Sequence, residues 1–299
     1  MKIGYPCINQ SLSCRSSRTF RLRSYTEERL LETVEENLRC LGEILRYNAD
    51  HGILFFRITS DLVPFASHPV CTVDWQVAFK DHFSELGAYI RDHQMRISMH
   101  PDQFIILNAK DQSIFDRSIS ELAYHVEVLD LLGLDTTAKI QLHVGGVYDD
   151  RRASIARFIE RYLSLDEAIL SRLVIENDDR RYTIRDCLMI HAETSVPIIF
   201  DSLHHKVNPS KENVAEVFPE VAATWQSQDG IPMSDYSSQD PGGRPGKHAS
   251  TIDLPDFLAF TRDLRPFDLD IMLEIKDKEK SALKALAALE DERRLMGVR

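Results

Sequence analysis

One repeated pattern constrains this chain more than any other feature: a short apolar run ends in a residue of a metal-ligand type. The fullest case is Leu173-Val174-Ile175-Glu176, where an uninterrupted apolar run predicts a strand buried on both faces. Four further runs end in the same way, at His100, His143, Asp201 and Glu274. Such strands, alternating with helical stretches, are typical of a parallel barrel whose site lies at the carboxyl ends of the strands.

The spacing of apolar residues predicts eight strand-and-helix units, and hence a single TIM-type (β/α)8 barrel over residues 1–299. Ser24 and Glu27 predict a capping box for the first helix. A further helix is predicted to begin at Pro209-Ser210. The seventh strand has the weakest pattern, because residues 224–235 contain Gly230 and Pro232. No linker or change in composition indicates a second domain.

The five cysteines are odd in number, widely spaced and include no C-x-x-C pair. They therefore predict neither a disulfide framework nor a cysteine zinc site, and they favour a reducing compartment. The chain has no apolar run of about 18 residues, and its first residues lack the apolar segment of a signal peptide. We expect a cytoplasmic protein without a membrane partner.

A formal net charge of −11 argues against indiscriminate binding to nucleic acid, because phosphates would be repelled at long range. A local basic surface is still compatible with that charge. Residues 11–24 follow the first predicted strand, contain no acid and carry four arginines, Arg15, Arg18, Arg21 and Arg23. This loop is either solvated or a phosphate-binding surface, and composition leaves both alternatives open.

Taken singly, each strand-end His or acid has an ordinary explanation as a structural residue or a helix cap. Together they occupy equivalent places on five strands, and buried acids repel one another without a cation between them. His204 and His205 follow Asp201, but adjacent side chains diverge, so His205 is the uncertain member. We also expect His248, in a glycine-rich loop, to be a ligand.

This set is larger than one ion needs, since Zn²⁺ takes about four ligands. Two metals about 3.5 to 4 Å apart can share a bridging carboxylate and stabilise both oxygens of a phosphate displacement. Glu176, in the middle of the chain and of the barrel, is the predicted bridge. The residues by themselves therefore favour phosphodiester hydrolysis.

Beyond these patterns, the chain resembles the UV damage endonucleases, a DNA repair family related in fold to endonuclease IV. The resemblance covers nearly the whole length and is specific when its motifs are taken together. The motifs are Gly4-Tyr5-Pro6-Cys7-Ile8-Asn9, His100-Pro101-Asp102-Gln103-Phe104, Gln141-Leu142-His143-Val144-Gly145-Gly146, Ile175-Glu176-Asn177-Asp178, Phe200-Asp201-Ser202-Leu203-His204-His205, Ser237-Ser238-Gln239 and Gly246-Lys247-His248.

The resemblance implies nicking of double-stranded DNA on the 5′ side of UV photoproducts, and of abasic sites. We expect the protein to be a monomer. It implies two or three divalent ions, typically Mn²⁺, with Zn²⁺ or Mg²⁺ as alternatives. The implied catalytic carboxylates are Glu176, Asp201 and Glu274. The implied ligand set is His100, His143, Glu176, Asp201, His204, His248 and Glu274.

Other residues match family positions that contact the damaged DNA. Gln103 and Phe104 match a Gln-Tyr pair that probes the duplex, and Phe104 keeps the ring but lacks the hydroxyl. Tyr5 and Asn9 match residues near the everted lesion. We expect Arg15 and Arg18 to grip phosphates. Selectivity would follow from the lower cost of extruding a poorly stacked dinucleotide.

Two residues depart from the family pattern Pro-Lys-x-His-x-Ser, which corresponds here to residues 232–237. Met233 replaces a lysine that can be modified to a carbamate near the metals. Asp235 replaces the histidine, and we include Asp235 among the expected ligands because a carboxylate oxygen suits Mn²⁺. Metal preference or activity is therefore expected to differ from that of the family.

Two other functions compete with this interpretation. Metal-dependent sugar isomerases of similar architecture also line a barrel mouth with His, Glu and Asp around two ions. A non-catalytic protein that only binds lesions is the second alternative, and it is suggested by Met233 and Asp235. A Mn²⁺-dependent nick in irradiated plasmid separates both from the endonuclease.

Overall fold

The computed structural model describes residues 1–102, 104–148 and 150–295. Eight parallel strands pair in chain order and close into a barrel, in which β8 returns to pair with β1. The predicted (β/α)8 architecture is therefore confirmed. The strands are Ile3–Pro6 (β1), Phe55–Ile58 (β2), Arg96–Met99 (β3), Lys139–His143 (β4), Leu173–Glu176 (β5), Ile198–Asp201 (β6), Met233–Tyr236 (β7) and Asp270–Leu273 (β8).

Helices surround the barrel and bury one face each against the strands, as expected for apolar residues at three- and four-residue spacing. Three of them are short turns of helix that precede or follow a longer one. The helices are Glu27–Asp50 (α1), Trp75–Ala78 (α2), Lys80–Asp92 (α3), Gln112–Leu131 (α4), Arg151–Tyr162 (α5), Glu167–Leu170 (α6), Ile184–Thr194 (α7), Ser202–Val207 (α8), Val214–Ala222 (α9), Leu254–Asp263 (α10) and Glu279–Leu295 (α11).

The interior of the barrel is filled by a second, smaller apolar cluster that is separate from the core under the helices. Its members are Phe55, Val174, Ile199, Trp225, Met233 and Met272. Strand side chains alternate in direction, so the residue two positions further along each strand also points inward. Those residues are Arg57, Glu176, Asp201, Asp235 and Glu274. The barrel interior therefore changes from apolar to ionic between one layer of side chains and the next.

At the amino-terminal end of the barrel, charged side chains are paired within the protein. Lys139 is fully buried and places its Nζ 2.5 Å from Oδ1 of Asp229 and 2.8 Å from the carbonyl oxygen of Ser171. Arg172, just before β5, pairs with Asp130 at 2.6 Å and donates to three main-chain carbonyls. This end of the barrel is closed by internal hydrogen bonds.

Three local predictions are corrected. The N-cap of α1 is Thr26, whose side chain accepts from the backbone N–H of Arg29, because residues 22–24 form a separate 3-10 turn. The helix predicted from Pro209-Ser210 begins instead at Val214, where Asn213 and Glu216 form the capping box. The seventh strand begins only at Met233. Trp225, near the start of the predicted segment, lies outside the strand and packs in the apolar cluster of the barrel interior.

A disulfide between Cys14 and Cys40 contradicts the prediction of unpaired cysteines. It ties the loop after β1 to α1, across 26 residues of sequence. Spacing gave no sign of it, because the two residues meet only when the loop folds back along the helix. Cys7, Cys71 and Cys187 are free thiols. Among the described residues, no helix combines the length and apolarity needed to cross a membrane.

Candidate metal centre

The strand-end residues converge at the carboxyl-terminal mouth of the barrel, where they form three potential metal-binding groups within the described part of the chain. The ligand atoms of each group lie within 4.8 Å of one another. The first two groups share Glu176, and the last two share Asp201. The groups are His100 with His143 and Glu176, Glu176 with Asp201 and His204, and Asp201 with Asp235 and Glu274.

Glu176 lies at the centre of this arrangement and is almost completely buried. Its Oε1 is 2.9 Å from Nε2 of His100 and 3.3 Å from Nε2 of His143. Its Oε2 is 4.0 Å from Nδ1 of His204. Burial raises the pKa of Glu176, but His143 and His100 lower it more, so the net pKa is below the ordinary value. The carboxylate therefore stays ionised and has an oxygen on each side for a cation.

The orientation of three imidazoles is set by main-chain carbonyl oxygens. Nδ1 of His100 lies 2.8 Å from the carbonyl oxygen of Pro101. Nδ1 of His204 lies 3.0 Å from that of Asn177, and Nδ1 of His248 lies 2.5 Å from that of Glu274. A carbonyl oxygen only accepts hydrogen bonds, so each ring donates from Nδ1. In the neutral ring Nε2 then keeps its lone pair, and histidines that bind metals usually donate their other ring N–H in this way.

Burial and the neighbouring acids disfavour the ionised form of two carboxylates in the centre. Burial raises the pKa of Asp201 to about 8 and that of Asp235 to about 7, although His204 and Arg57 respectively oppose these shifts. For His204, burial lowers the pKa, but Asp201 outweighs it and the pKa rises to about 9. Carboxylate oxygens with imidazole nitrogens are a donor set for Mn²⁺ or Zn²⁺. The residues present therefore fit a cluster of divalent ions.

The structure distinguishes the histidines that the sequence left ambiguous. Nε2 of His205 lies 3.0 Å from the carbonyl oxygen of Glu212, and the ring packs on Phe200, away from the centre. His204 faces Asp201, with Nδ1 3.2 Å from Oδ2. His248 lies beside Glu274, 3.9 Å from its Oε2, but belongs to none of the three groups found among the described residues.

Sequence reasoning missed Arg57, which is 3% exposed in the centre. Its Nη2 donates to both oxygens of Asp235 at 2.8 and 2.9 Å and to Oε1 of Gln141 at 2.7 Å, and its Nη1 donates to Glu274. Burial lowers the pKa of Arg57, but Asp235 and Glu274 raise it above the ordinary value. The available signal was a lone arginine inside the apolar strand Phe55-Phe56-Arg57-Ile58.

Two clefts that are lined in part by basic side chains flank the centre. One, of about 380 Å³, is lined by His100 and His143 together with three arginines and three aspartates: Arg180, Arg181, Arg244, Asp102, Asp178 and Asp179. The other, of about 540 Å³, is lined by Glu274 and His248 together with Arg57, Lys276 and Lys278. Sequence patterns pointed to none of these basic residues, because all except Arg57 of β2 come from loops that are far apart in the chain.

The residues predicted to contact DNA differ in their accessibility. Phe104 is 75% exposed beside the first cleft, which fits its predicted role. Tyr5 and Asn9 are both buried, and Asn9 donates to the Tyr5 hydroxyl, which donates to Asn48 of α1, so their place near a lesion stays a prediction. They hold the loop after β1 in place, since Oδ1 of Asn9 accepts from the backbone of residues 11 and 12. Gln103 lies outside the described residues.

Arg15 and Arg18 occupy the loop that the disulfide fastens to α1. Both are exposed, but Arg18 pairs with Glu36 of α1, and its backbone N–H donates to Asn37 at 2.9 Å. Much of the charge of Arg18 is therefore balanced within the protein. Arg15 keeps an exposed position from which a phosphate can be bound.

Fold and site together define a (β/α)8 barrel whose mouth is suited to a cluster of divalent ions. The sequence profile of the family described as UV-endonuclease UvdE matches residues 1–298. A UV DNA damage endonuclease of Clostridium perfringens is 36% identical over 293 residues, which cover 97% of this chain and 71% of that protein. The chain therefore belongs to the UV-endonuclease UvdE family.

Solved structures agree with this assignment. The crystal structure of SacUVDE has a TM-score of 0.94 and 42% identity, and the match covers 98% of this chain and 99% of that one. Endonuclease IV from Thermus thermophilus matches with a TM-score of 0.57 and 19% identity, over 84% of this chain and 94% of that one. The second similarity shows a shared fold and nothing more.

Proposed function

We propose that this protein is a metal-dependent DNA repair endonuclease that nicks the phosphodiester backbone 5′ to UV photoproducts, with abasic sites as a second substrate class. Family membership supports the substrate. The observation that carries the metal dependence is the set of three imidazoles, from His100, His143 and His204, that surround the buried carboxylates of Glu176 and Asp201. Imidazole nitrogens and carboxylate oxygens are a donor set for divalent cations, and we propose two or three Mn²⁺ ions.

The proposed chemistry is an in-line displacement at phosphorus. Bound divalent ions would supply an activated water and neutralise the charge that develops on the attacking and leaving oxygens. The residues of this chain hold that arrangement rigidly. Glu176 offers one oxygen to each side of the centre, Asp201 joins the second group to the third, and the barrel strands fix both side chains.

The basic clefts and Phe104 suggest how damaged DNA is bound by an acidic protein. Arginines 180, 181 and 244 on one side and lysines 276 and 278 on the other would contact phosphates on either side of the nicked bond. Phe104 exposes a ring on which an unpaired base can stack. We propose that the enzyme acts as a monomer.

The decisive experiment compares Glu176→Gln with the unaltered chain on UV-irradiated and untreated supercoiled plasmid. Glutamine has the same shape but cannot bridge two cations. Since loss of outer-shell groups alone costs about 10- to 100-fold in activity or metal affinity, we expect at least a hundredfold loss of nicking on irradiated DNA. Glu160→Gln, which alters an exposed carboxylate on α5, is the matched control and should nick normally.

Two outcomes would contradict the proposal. Retained nicking by a folded Glu176→Gln variant would remove Glu176 from the centre. Binding of irradiated duplex without cleavage, in Mn²⁺, Zn²⁺ and Mg²⁺ alike, would instead indicate a lesion-binding protein without catalytic activity.

A further inference from the structure

The third potential metal group, formed by Asp201, Asp235 and Glu274, already contains a cation supplied by the protein. Arg57 projects from the middle of β2 into the same layer of the barrel and donates hydrogen bonds to two of the three acids. Guanidinium groups remain protonated in proteins, so this positive charge is permanent. Any divalent ion in the third group would have to lie beside it.

Asp235 has little capacity left for a metal. Its Oδ1 accepts from Arg57 at 2.9 Å, and its Oδ2 accepts from Arg57 at 2.8 Å and from Nε2 of Gln141 at 2.6 Å. The side chains of Arg57 and Asp235 are 4% and 1% exposed, so water does not screen the pair. Removing one partner from such a buried pair leaves an uncompensated charge, which is strongly unfavourable.

The total charge of the centre favours two divalent ions over three. Four carboxylates point into it, from Glu176, Asp201, Asp235 and Glu274. Two divalent ions with one guanidinium exceed their negative charge by a single unit, which one phosphate of the substrate neutralises. Three divalent ions with the guanidinium would leave an excess of three positive charges in a buried, poorly screened layer.

We propose that the guanidinium of Arg57 takes the place of a third metal ion, so that this chain binds two divalent ions, with Asp235 as the counter-ion of Arg57 rather than a ligand. The inference rests on the proposed metal dependence and specifies how many ions it involves. In this arrangement Arg57 also donates a hydrogen bond to Glu274, the remaining acid of the third group. The two metal positions are those that share Glu176.

The test counts Mn²⁺ ions per chain at saturation, by equilibrium dialysis followed by elemental analysis, with electron paramagnetic resonance of free Mn²⁺ as a second readout. We expect two ions for the unaltered chain. Arg57→Met removes the charge at similar length and frees Asp235 and Glu274, so we expect a third ion. The double variant Arg57→Met/Asp235→Asn removes the freed ligand and should return to two.

A second single variant keeps the test informative if Arg57→Met fails to fold. Asp235→Asn in the unaltered background should still bind two ions, because Asp235 is not a ligand in this proposal. A loss of one ion in Asp235→Asn, or three ions in the unaltered chain, overturns the inference and leaves the endonuclease proposal intact. No bound Mn²⁺ in the unaltered chain overturns both.

Discussion

Buried charges are balanced differently at the two ends of the barrel. At the amino-terminal end, Lys139 meets Asp229 and Arg172 meets Asp130, each within hydrogen-bonding distance. At the carboxyl-terminal end, four inward carboxylates share one guanidinium. The imidazoles of His100, His143 and His204 lie within 4.0 Å of Glu176 in the same space. At the amino-terminal end the protein balances its own buried charges, whereas the carboxylates at the carboxyl-terminal end need bound cations for their charge to be balanced.

The amino-terminal end of the barrel therefore contributes to the stability of the fold, and the carboxyl-terminal end carries the candidate functional site. Removing one partner of a buried ion pair destabilises the fold strongly, because the other charge is left buried without compensation. A cluster of like charges costs stability until a cation binds, and that cost makes the site selective for cations. Changes at one end of the barrel can therefore be measured against the other end or against a surface site.

The largest expected effect on stability comes from the amino-terminal end. Lys139→Met leaves Asp229 buried without its partner, so we expect a loss of about 3 to 5 kcal/mol in the free energy of unfolding, measured by urea titration. Lys206→Met, which breaks an exposed pair with Asp256, should cost no more than about 1 kcal/mol. Equal losses in the two variants would show that burial does not distinguish the pairs.

At the carboxyl-terminal end of the barrel, we expect the free energy of unfolding to increase when metal is added. At a free Mn²⁺ concentration about 100 times the dissociation constant, one site adds about 2.7 kcal/mol to the free energy of unfolding. Glu176→Gln should lose most of this gain, whereas Lys139→Met should keep it in full. The same urea titration with and without Mn²⁺ measures both, and a gain that survives Glu176→Gln would place the ions elsewhere.

The metal-free protein should become less stable as the pH rises. The pKa values of Asp201, about 8, and His204, about 9, lie above those of the unfolded chain, so the folded state holds protons that the unfolded state releases. Between pH 7 and 8 we expect a loss of about 1.4 kcal/mol per extra proton held.

Urea titrations at several pH values, after removal of metal with a chelator, measure this loss. Asp201→Asn should flatten the dependence, because the variant has no proton to release there. A stability that rises over the same pH range would contradict the assigned directions.

The smallest effect is expected at the rim of the first cleft. Arg244→Gln removes one phosphate contact, which we expect to weaken binding of irradiated duplex by about 1 kcal/mol and to lower the salt slope by about 1. Fluorescence anisotropy over a range of salt concentrations measures both. Arg46→Gln changes an exposed arginine near the opposite end of the barrel and should leave the slope unchanged, so equal slopes in both variants would remove Arg244 from the interface.

The sequence by itself determined the architecture and most of the ligand set. Apolar runs report burial directly, and the carboxyl ends of parallel strands necessarily meet at one face, so Glu176, Asp201 and Glu274 could be placed together without coordinates. The Nδ1 contacts that orient three of the histidines required the structure, because each depends on a carbonyl whose position the pattern does not specify.

Only the tertiary structure decided which charges are neutralised by the protein and which need a cation. Arg57 and Asp235 are 178 residues apart in sequence, and their pairing depends on strand direction and register around a closed sheet. The Cys14–Cys40 disulfide and the basic clefts likewise join loops that pattern reasoning treats separately. Electrostatic interactions depend on distance and burial in three dimensions, whereas periodicity along a chain reports only which face of an element is apolar.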